Sequence, residues 1–202
     1  MRIGILGGVF NPPHLGHLVC GQEALVQLGL DRVLLVPVGE APHRAVELDP
    51  QTRVDLCRAA VAGDERFGVS RVEVDREGPS YTVDTLRALG EGSGGEDDLV
   101  VILGGDQAAE LRHWHDPAGV LSLAEVAVTT RGSVGPEEVR RRLADVRGAE
   151  RLRSFSMPRI DVSSTLVRAR VAEGLPIRYL VPDSVETLIV ERGLYRAEVG
   201  AR

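Results

Sequence analysis

Short apolar runs alternate along this chain with longer segments whose apolar residues recur at helical spacing. Residues 2–6, 32–37, 67–74, 99–103, 126–130 and 152–155 read as strands. The run 32–37 (RVLLVP) is continuous and Val-rich, as a strand buried on both faces should be. Residues 17–28, 81–89, 136–146, 164–172 and 184–191 read as helices. A further helix should open at Asp49-Pro50 and run to about Ala62, with Asp as N-cap and Pro at the first helical position. This alternation predicts an α/β fold: a Rossmann-like, mostly parallel sheet with helices on both faces. We expect a single domain over 1–202 with a small C-terminal helical part. Right-handed crossovers would gather the loops that follow the strands at one edge of the sheet. The Gly-rich, acidic stretch 90–98 (GEGSGGEDD) reads as a surface connection, and 38–48 as a longer loop.

Composition narrows the class without choosing a function. The chain has 202 residues, 43% hydrophobic, 27% charged and 3% aromatic, enough for one globular domain with a good core. A formal net charge of −6 argues against an extended nucleic-acid surface, which needs clustered Lys and Arg. It leaves room for a local positive pocket that holds a small phosphorylated substrate. Cys20 and Cys57 sit in helical patterns and form no CxxC pair, so they read as reduced thiols. No apolar run approaches the roughly 20 residues needed to cross a bilayer, and no signal-peptide pattern opens the chain. The expected setting is the cytoplasm, with no membrane or nucleic-acid partner.

The first strand hands over to the first helix through Gly7-Gly8-Val9-Phe10-Asn11-Pro12-Pro13-His14-Leu15-Gly16-His17. In an open α/β sheet that junction is where nucleotides bind. Gly7 and Gly8 would let the backbone turn and let a phosphate approach its amides. Pro12 and Pro13 would stiffen the loop, and the helix start would add a positive dipole end. His14 and His17, three residues apart, share one helical face and can donate to phosphate oxygens. An i, i+3 His pair can also ligate a metal, but His43, His113 and His115 lie in distant loops and offer no third ligand, so no metal site is expected. Neither GxGxxG nor a P-loop is present.

Near the C-terminus, Ser163-Ser164-Thr165-Leu166-Val167-Arg168 places a hydroxyl cluster at a helix start, with Arg168 one turn on. Hydroxyls and free amides there form an anion site that an arginine can clamp. The two segments together resemble the H-x-G-H and S-S/T-T-x-I/V-R signatures of the nucleotidyltransferase superfamily, distant relatives of the class I aminoacyl-tRNA synthetases. Pro79-Ser80-Tyr81-Thr82-Val83-Asp84-Thr85-Leu86, Gly104-Gly105-Asp106 with Leu111 and Trp114, and Pro42-His43-Arg44 resemble segments of the bacterial nicotinate-nucleotide adenylyltransferases. So does the tail, Tyr179 to Asp183 with Gly193-Leu194-Tyr195, and the likeness spans essentially the whole chain.

That resemblance implies transfer of AMP from ATP to nicotinate mononucleotide, giving nicotinate adenine dinucleotide and pyrophosphate, with Mg²⁺ accompanying ATP. It implies that His14, His17 and Arg168 are catalytic and that Gly8, Val9 and Phe10 cradle phosphate through their backbone. Asp106 would accept from the ATP ribose, and Ser164, Thr165 and Arg168 would hold the triphosphate. Arg44 and Arg131 would meet the mononucleotide phosphate, and Tyr81, Thr82 and Trp114 would surround the nicotinate ring. From the residues alone, Asp106 also reads as a helix N-cap and Tyr81-Thr82 as a helix start. Two positions depart from the family pattern: Val9, where Thr or Ser is usual, and Asn11, where Asp is frequent. The alternatives are an adenylyltransferase for nicotinamide mononucleotide or phosphopantetheine, and a non-catalytic nucleotide sensor.

Overall fold

The computed structural model describes residues 1–41, 46–129 and 134–197. Six strands form one sheet: β1 (Arg2–Gly8), β2 (Arg32–Pro37), β3 (Phe67–Val69), β4 (Asp98–Gly104), β5 (Glu125–Thr129) and β6 (Leu152–Phe155). Their order is β3-β2-β1-β4-β5-β6. Every neighbouring pair is parallel, so the sheet is wholly rather than mostly parallel.

The two-residue period of a strand sorts its apolar side chains onto both faces. In β4, Leu99, Val101 and Leu103 enter one core, and Val100 and Ile102 enter the other. The second core is covered by α1 (Leu15–Leu28) and α2 (Pro50–Ala60), through Cys20, Ala24 and Cys57. The first is covered by α3 (Thr82–Gly92), α4 (Gly105–Ala109), α5 (Pro117–Leu123) and α6 (Pro136–Arg142). Each fully buried Leu or Ile side chain contributes about 1.5–3 kcal/mol relative to exposure. The C-terminal helices α7 (Ser164–Ala172) and α8 (Asp183–Glu191) pack with α2 around Leu56, Val167, Val185 and Ile189. No helix of the described residues is long and apolar enough to cross a membrane.

Several expected boundaries shift for identifiable reasons. α1 begins at Leu15, two residues early, because His14 and not a later residue is its N-cap. β3 stops at Val69, and 70–74 leave the sheet in a turn closed by the Asp75 N–H on the Arg71 carbonyl. α3 continues through Gly92, consuming the start of the Gly-rich connection, and α6 ends at Arg142. α4 and α5, unexpected from the sequence, span 5 and 7 residues, too short to show a helical period. α5 nevertheless opens as α2 does, on Asp-Pro: Asp116 accepts from the Gly119 N–H at 2.9 Å, as Asp49 does from Thr52.

From β1 the chain builds outward through β2 and β3, then crosses to β4 on the other side of β1 and continues to β5 and β6. The order therefore reverses between β1 and β4. Ligands of open α/β sheets bind at such a switch point, beyond the carboxyl ends of the strands. Here those ends are Gly7-Gly8 and Gly104.

Candidate active site

A cleft of about 420 Å³ opens at the switch point, lined among others by Gly8, His14, His17, Asp106 and Ser164. Gly7 and Gly8 do not make the turn that was expected of them. They end β1, with Gly8 paired to Pro37, and the residue in the left-handed region is Phe10, at φ 50°. A Cβ on Gly7 would meet nothing within 4 Å, so the glycine leaves the strand end bare where a ligand can approach. After Phe10 the chain passes the cis Asn11–Pro12 bond into α1.

His14 is buried, 6% exposed, and its backbone N–H donates to His17 Nδ1 at 3.1 Å. Nδ1 of His17 is thus an acceptor, and the ring's donor is Nε2–H. The two imidazoles stack with centroids 3.7 Å apart, and the Phe10 ring meets His17 edge-on at 5.0 Å. One capping bond and two ring contacts therefore fix the His17 donor before any ligand arrives.

The second motif closes onto the first. Ser163, not Ser164, caps α7, its Oγ accepting from the Leu166 N–H at 3.1 Å. That frees the Ser164 hydroxyl to donate to the Pro12 carbonyl at 2.8 Å. Arg168, one turn on, donates from Nη1 to the Asn11 carbonyl at 2.8 Å, across 157 positions of sequence. Thr165 is exposed beside it, its hydroxyl 3.5 Å from Arg168 Nη2. Val9, Asn11, Glu47, Ser164, Thr165 and Arg168 line an adjoining cleft of about 270 Å³. Asn11 is 8% exposed there, and its Oδ1 has no hydrogen-bond partner among the described residues.

On the other side of the β1 end lies a third cleft, of about 450 Å³, with Gly7, Gly8 and Val9 in its wall. Trp114 and Thr82, expected around the nicotinate ring, both line it. Tyr81 does not: it is the residue before α3, and its ring packs on His115, centroids 4.5 Å apart. Arg44 and Arg131, and with them His43, lie outside the described residues. Asp106 lines the first cleft from the first turn of α4, but the N-cap of that helix is Gly104, so the N-cap alternative is corrected.

Four polar residues of the third cleft were missed in the sequence: Glu73, Ser80, Thr85 and Gln107. Glu73 is buried, 9% exposed, and accepts from the Thr85 hydroxyl at 2.7 Å. Burial pushes its carboxyl above the ordinary range, against hydrogen bonds from Thr85 and Ser80 that pull it down. Nothing in the sequence marked it: between Val72 and Val74, strand alternation would leave this acid in solvent. Cys57, free and buried in α2, is pushed up by burial and takes no part in the cleft.

The cytidylyltransferase-like family profile matches residues 5–170. A Roseiflexus sp. (strain RS-1) protein called "probable nicotinate-nucleotide adenylyltransferase" is 43% identical over 198 residues, spanning 96% of this chain and 98% of its own. A Rubrobacter xylanophilus protein of the same name is 37% identical over 201 residues, spanning 98% of this chain and 94% of its own. The chain belongs to the nicotinate-nucleotide adenylyltransferases within the cytidylyltransferase-like family. Solved structures of a member of this enzyme class share the fold at low identity. "Plasmodium falciparum nicotinic acid mononucleotide adenylyltransferase complexed with NaAD" aligns with TM-score 0.78 at 14% identity, over 96% of this chain and 97% of that one. The same protein complexed with APC aligns with TM-score 0.76.

Proposed function

We propose that this chain transfers the adenylyl group of ATP to the phosphate of nicotinate mononucleotide, releasing pyrophosphate and nicotinate adenine dinucleotide. The observation that carries this reading is the closure of Ser164 and Arg168 onto the Pro12 and Asn11 carbonyls. It joins two sets of phosphate donors from opposite ends of the chain beside a third cleft suited to a flat ring. A phosphate oxygen of the mononucleotide attacks the α-phosphorus of ATP in line. A new P–O bond forms as the bond from the α-phosphorus to the bridging oxygen breaks, and pyrophosphate leaves with the electron pair.

No protein nucleophile is needed, because the acceptor is itself an anion. A phosphate monoester has its second pKa near 6, so at neutral pH it needs no strong base either. Catalysis then reduces to positioning and charge stabilisation. His17 donates from Nε2–H to the phosphate oxygens as charge builds, and His14 stands beside it. Backbone of Gly8, Val9 and Phe10 cradles phosphate, while Ser164, Thr165 and Arg168 hold the outgoing pyrophosphate. Asp106 accepts from the ribose. Thr82 and Trp114 hold the nicotinate ring, Trp114 by stacking, and Arg44 and Arg131 meet the mononucleotide phosphate.

Among the described residues no group of three or more His, Cys, Asp or Glu could cage a metal. Imidazoles, hydroxyls and a guanidinium suit phosphate oxygens, so the site fits Mg²⁺ held by the nucleotide's own phosphates and water. When bound it offsets phosphate charge. Both substrates are small soluble metabolites, in keeping with a cytoplasmic enzyme. Pyrophosphate release should be fastest with nicotinate mononucleotide in a panel that includes nicotinamide mononucleotide and phosphopantetheine. Preference for either of the others would replace the acceptor assignment, and ATP binding without turnover would favour a nucleotide sensor.

A further inference from the structure

Arg53, in the first turns of α2, is 1% exposed and among the largest fully buried side chains. All three nitrogens of its guanidinium donate to backbone carbonyls: Nε to Leu48 at 3.2 Å, Nη1 to Val9 at 3.1 Å and Nη2 to Gly39 at 3.3 Å. It forms no ion pair among the described residues. A buried charge is costly, and for stability alone a well-packed apolar side chain commonly serves as well. What the guanidinium adds is geometry. Its planar fork fixes three acceptors relative to one another, which neither an apolar group nor an ammonium does.

The three acceptors belong to three different segments of the site. Val9 follows β1 and lines all three clefts. Gly39 follows β2, and its N–H donates to the hydroxyl of Ser80, which lines the acceptor cleft. Leu48 ends the loop that leads into α2. We propose that Arg53 is a positioning residue, which touches neither substrate but holds the phosphate loop after β1 and the segment 38–41 after β2 in one fixed relation. The inference rests on the adenylyl-transfer reading for the names of the two substrates. Through this relation, the mononucleotide phosphate is delivered at the right distance and line from the α-phosphorus.

The test is Arg53→Lys, which keeps a positive charge and loses the fork, beside Leu56→Ala, which thins the packing of the same helix away from the clefts. Arg53→Lys should lower kcat about 10–100-fold, the scale of a small misplacement of reacting groups, and raise KM for both substrates. Leu56→Ala should lower Tm and leave KM unchanged. Arg53→Lys enzyme that melts lower but keeps kcat and both KM values within error would overturn the proposal, as its role would then be structural. Should Arg53→Lys not fold, Gly39→Ala takes its place. The added Cβ would lie 2.1 Å from the Glu73 carbonyl oxygen, so the backbone of Gly39 or of Glu73 must shift, at the segment whose carbonyl the guanidinium holds. It should weaken ATP as well as the acceptor, and an effect on the acceptor alone would overturn the link. Calorimetric affinity for a non-hydrolysable ATP analogue gives the donor-side result even if wild-type enzyme proves not to use nicotinate mononucleotide, so the two failures stay distinct.

Discussion

The cleft we assign to ATP, hereafter the donor side, and the one we assign to the mononucleotide, the acceptor side, share the bare end of β1 at Gly7, Gly8 and Val9, yet they are built in opposite ways. The donor side concentrates polar groups: His14 and His17 from one helix start and Ser164 from another, with Arg168 in the adjoining cleft. The acceptor side is walled by Val36, Val38, Val101 and Leu103, with Trp114 and a few polar residues set among them. An anion of high charge needs many donors converging on one place, and helix starts supply them cheaply from short segments. A flat ring needs a shaped apolar slot with few polar contacts, and such a slot is assembled from residues far apart in the chain. Each of the two polar sets on the donor side is therefore local in the sequence, whereas the apolar wall of the acceptor side is not.

Substitutions on the two sides should separate in kind as well as size. The largest effect belongs to His17→Ala, which removes a fixed donor at the developing charge and should lower kcat about 10²–10³-fold with the fold intact by circular dichroism. Next comes Arg168→Gln. It loses a charge-assisted bond worth about 1.5–3 kcal/mol, so kcat/KM for ATP should fall about 10–100-fold in steady-state assays. Trp114→Ala acts on the other side. Losing one aromatic stack, about 0.5–1.5 kcal/mol, should raise KM for the mononucleotide and leave KM for ATP alone. If Trp114→Ala changed the two constants equally, the division into two clefts would fail.

The smallest effect concerns Glu73 and depends on pH. Its folded-state pKa is raised from the ordinary 4.5, chiefly by burial. A raised carboxyl stabilises the fold fully below the ordinary value, and that share is lost as pH climbs through the raised one. Glu73→Gln cannot ionise, so its Tm relative to wild type should improve from acid to neutral pH. A constant difference across that range would show that burial does not perturb this carboxyl.

The same contrast explains what the sequence made legible. The strands were visible because each is a run of apolar residues, and α1, α2, α3, α7 and α8 because amphipathic periods or caps mark them. The proposed anion site was visible because His14, His17 and Ser163 to Arg168 lie in two short motifs. Glu73 and Arg53 were not, because each looks like an ordinary charged residue until the fold buries it. Their meaning lies in partners 5 to 44 positions away. Tyr81 is the opposite case: its motif is local, but its ring packs on His115, while its neighbours Ser80 and Thr82 line the cleft.

One chain that joins an ATP phosphate site to a nicotinate site should catalyse direct adenylyl transfer. The most direct measurement is pyrophosphate release by wild-type enzyme with ATP and each acceptor in turn, repeated with His17→Ala. Turnover should be highest with nicotinate mononucleotide, with the dinucleotide formed in equal amount, and should be almost wholly lost in the variant. Near-normal turnover by His17→Ala, or faster turnover with another acceptor, would contradict that assignment.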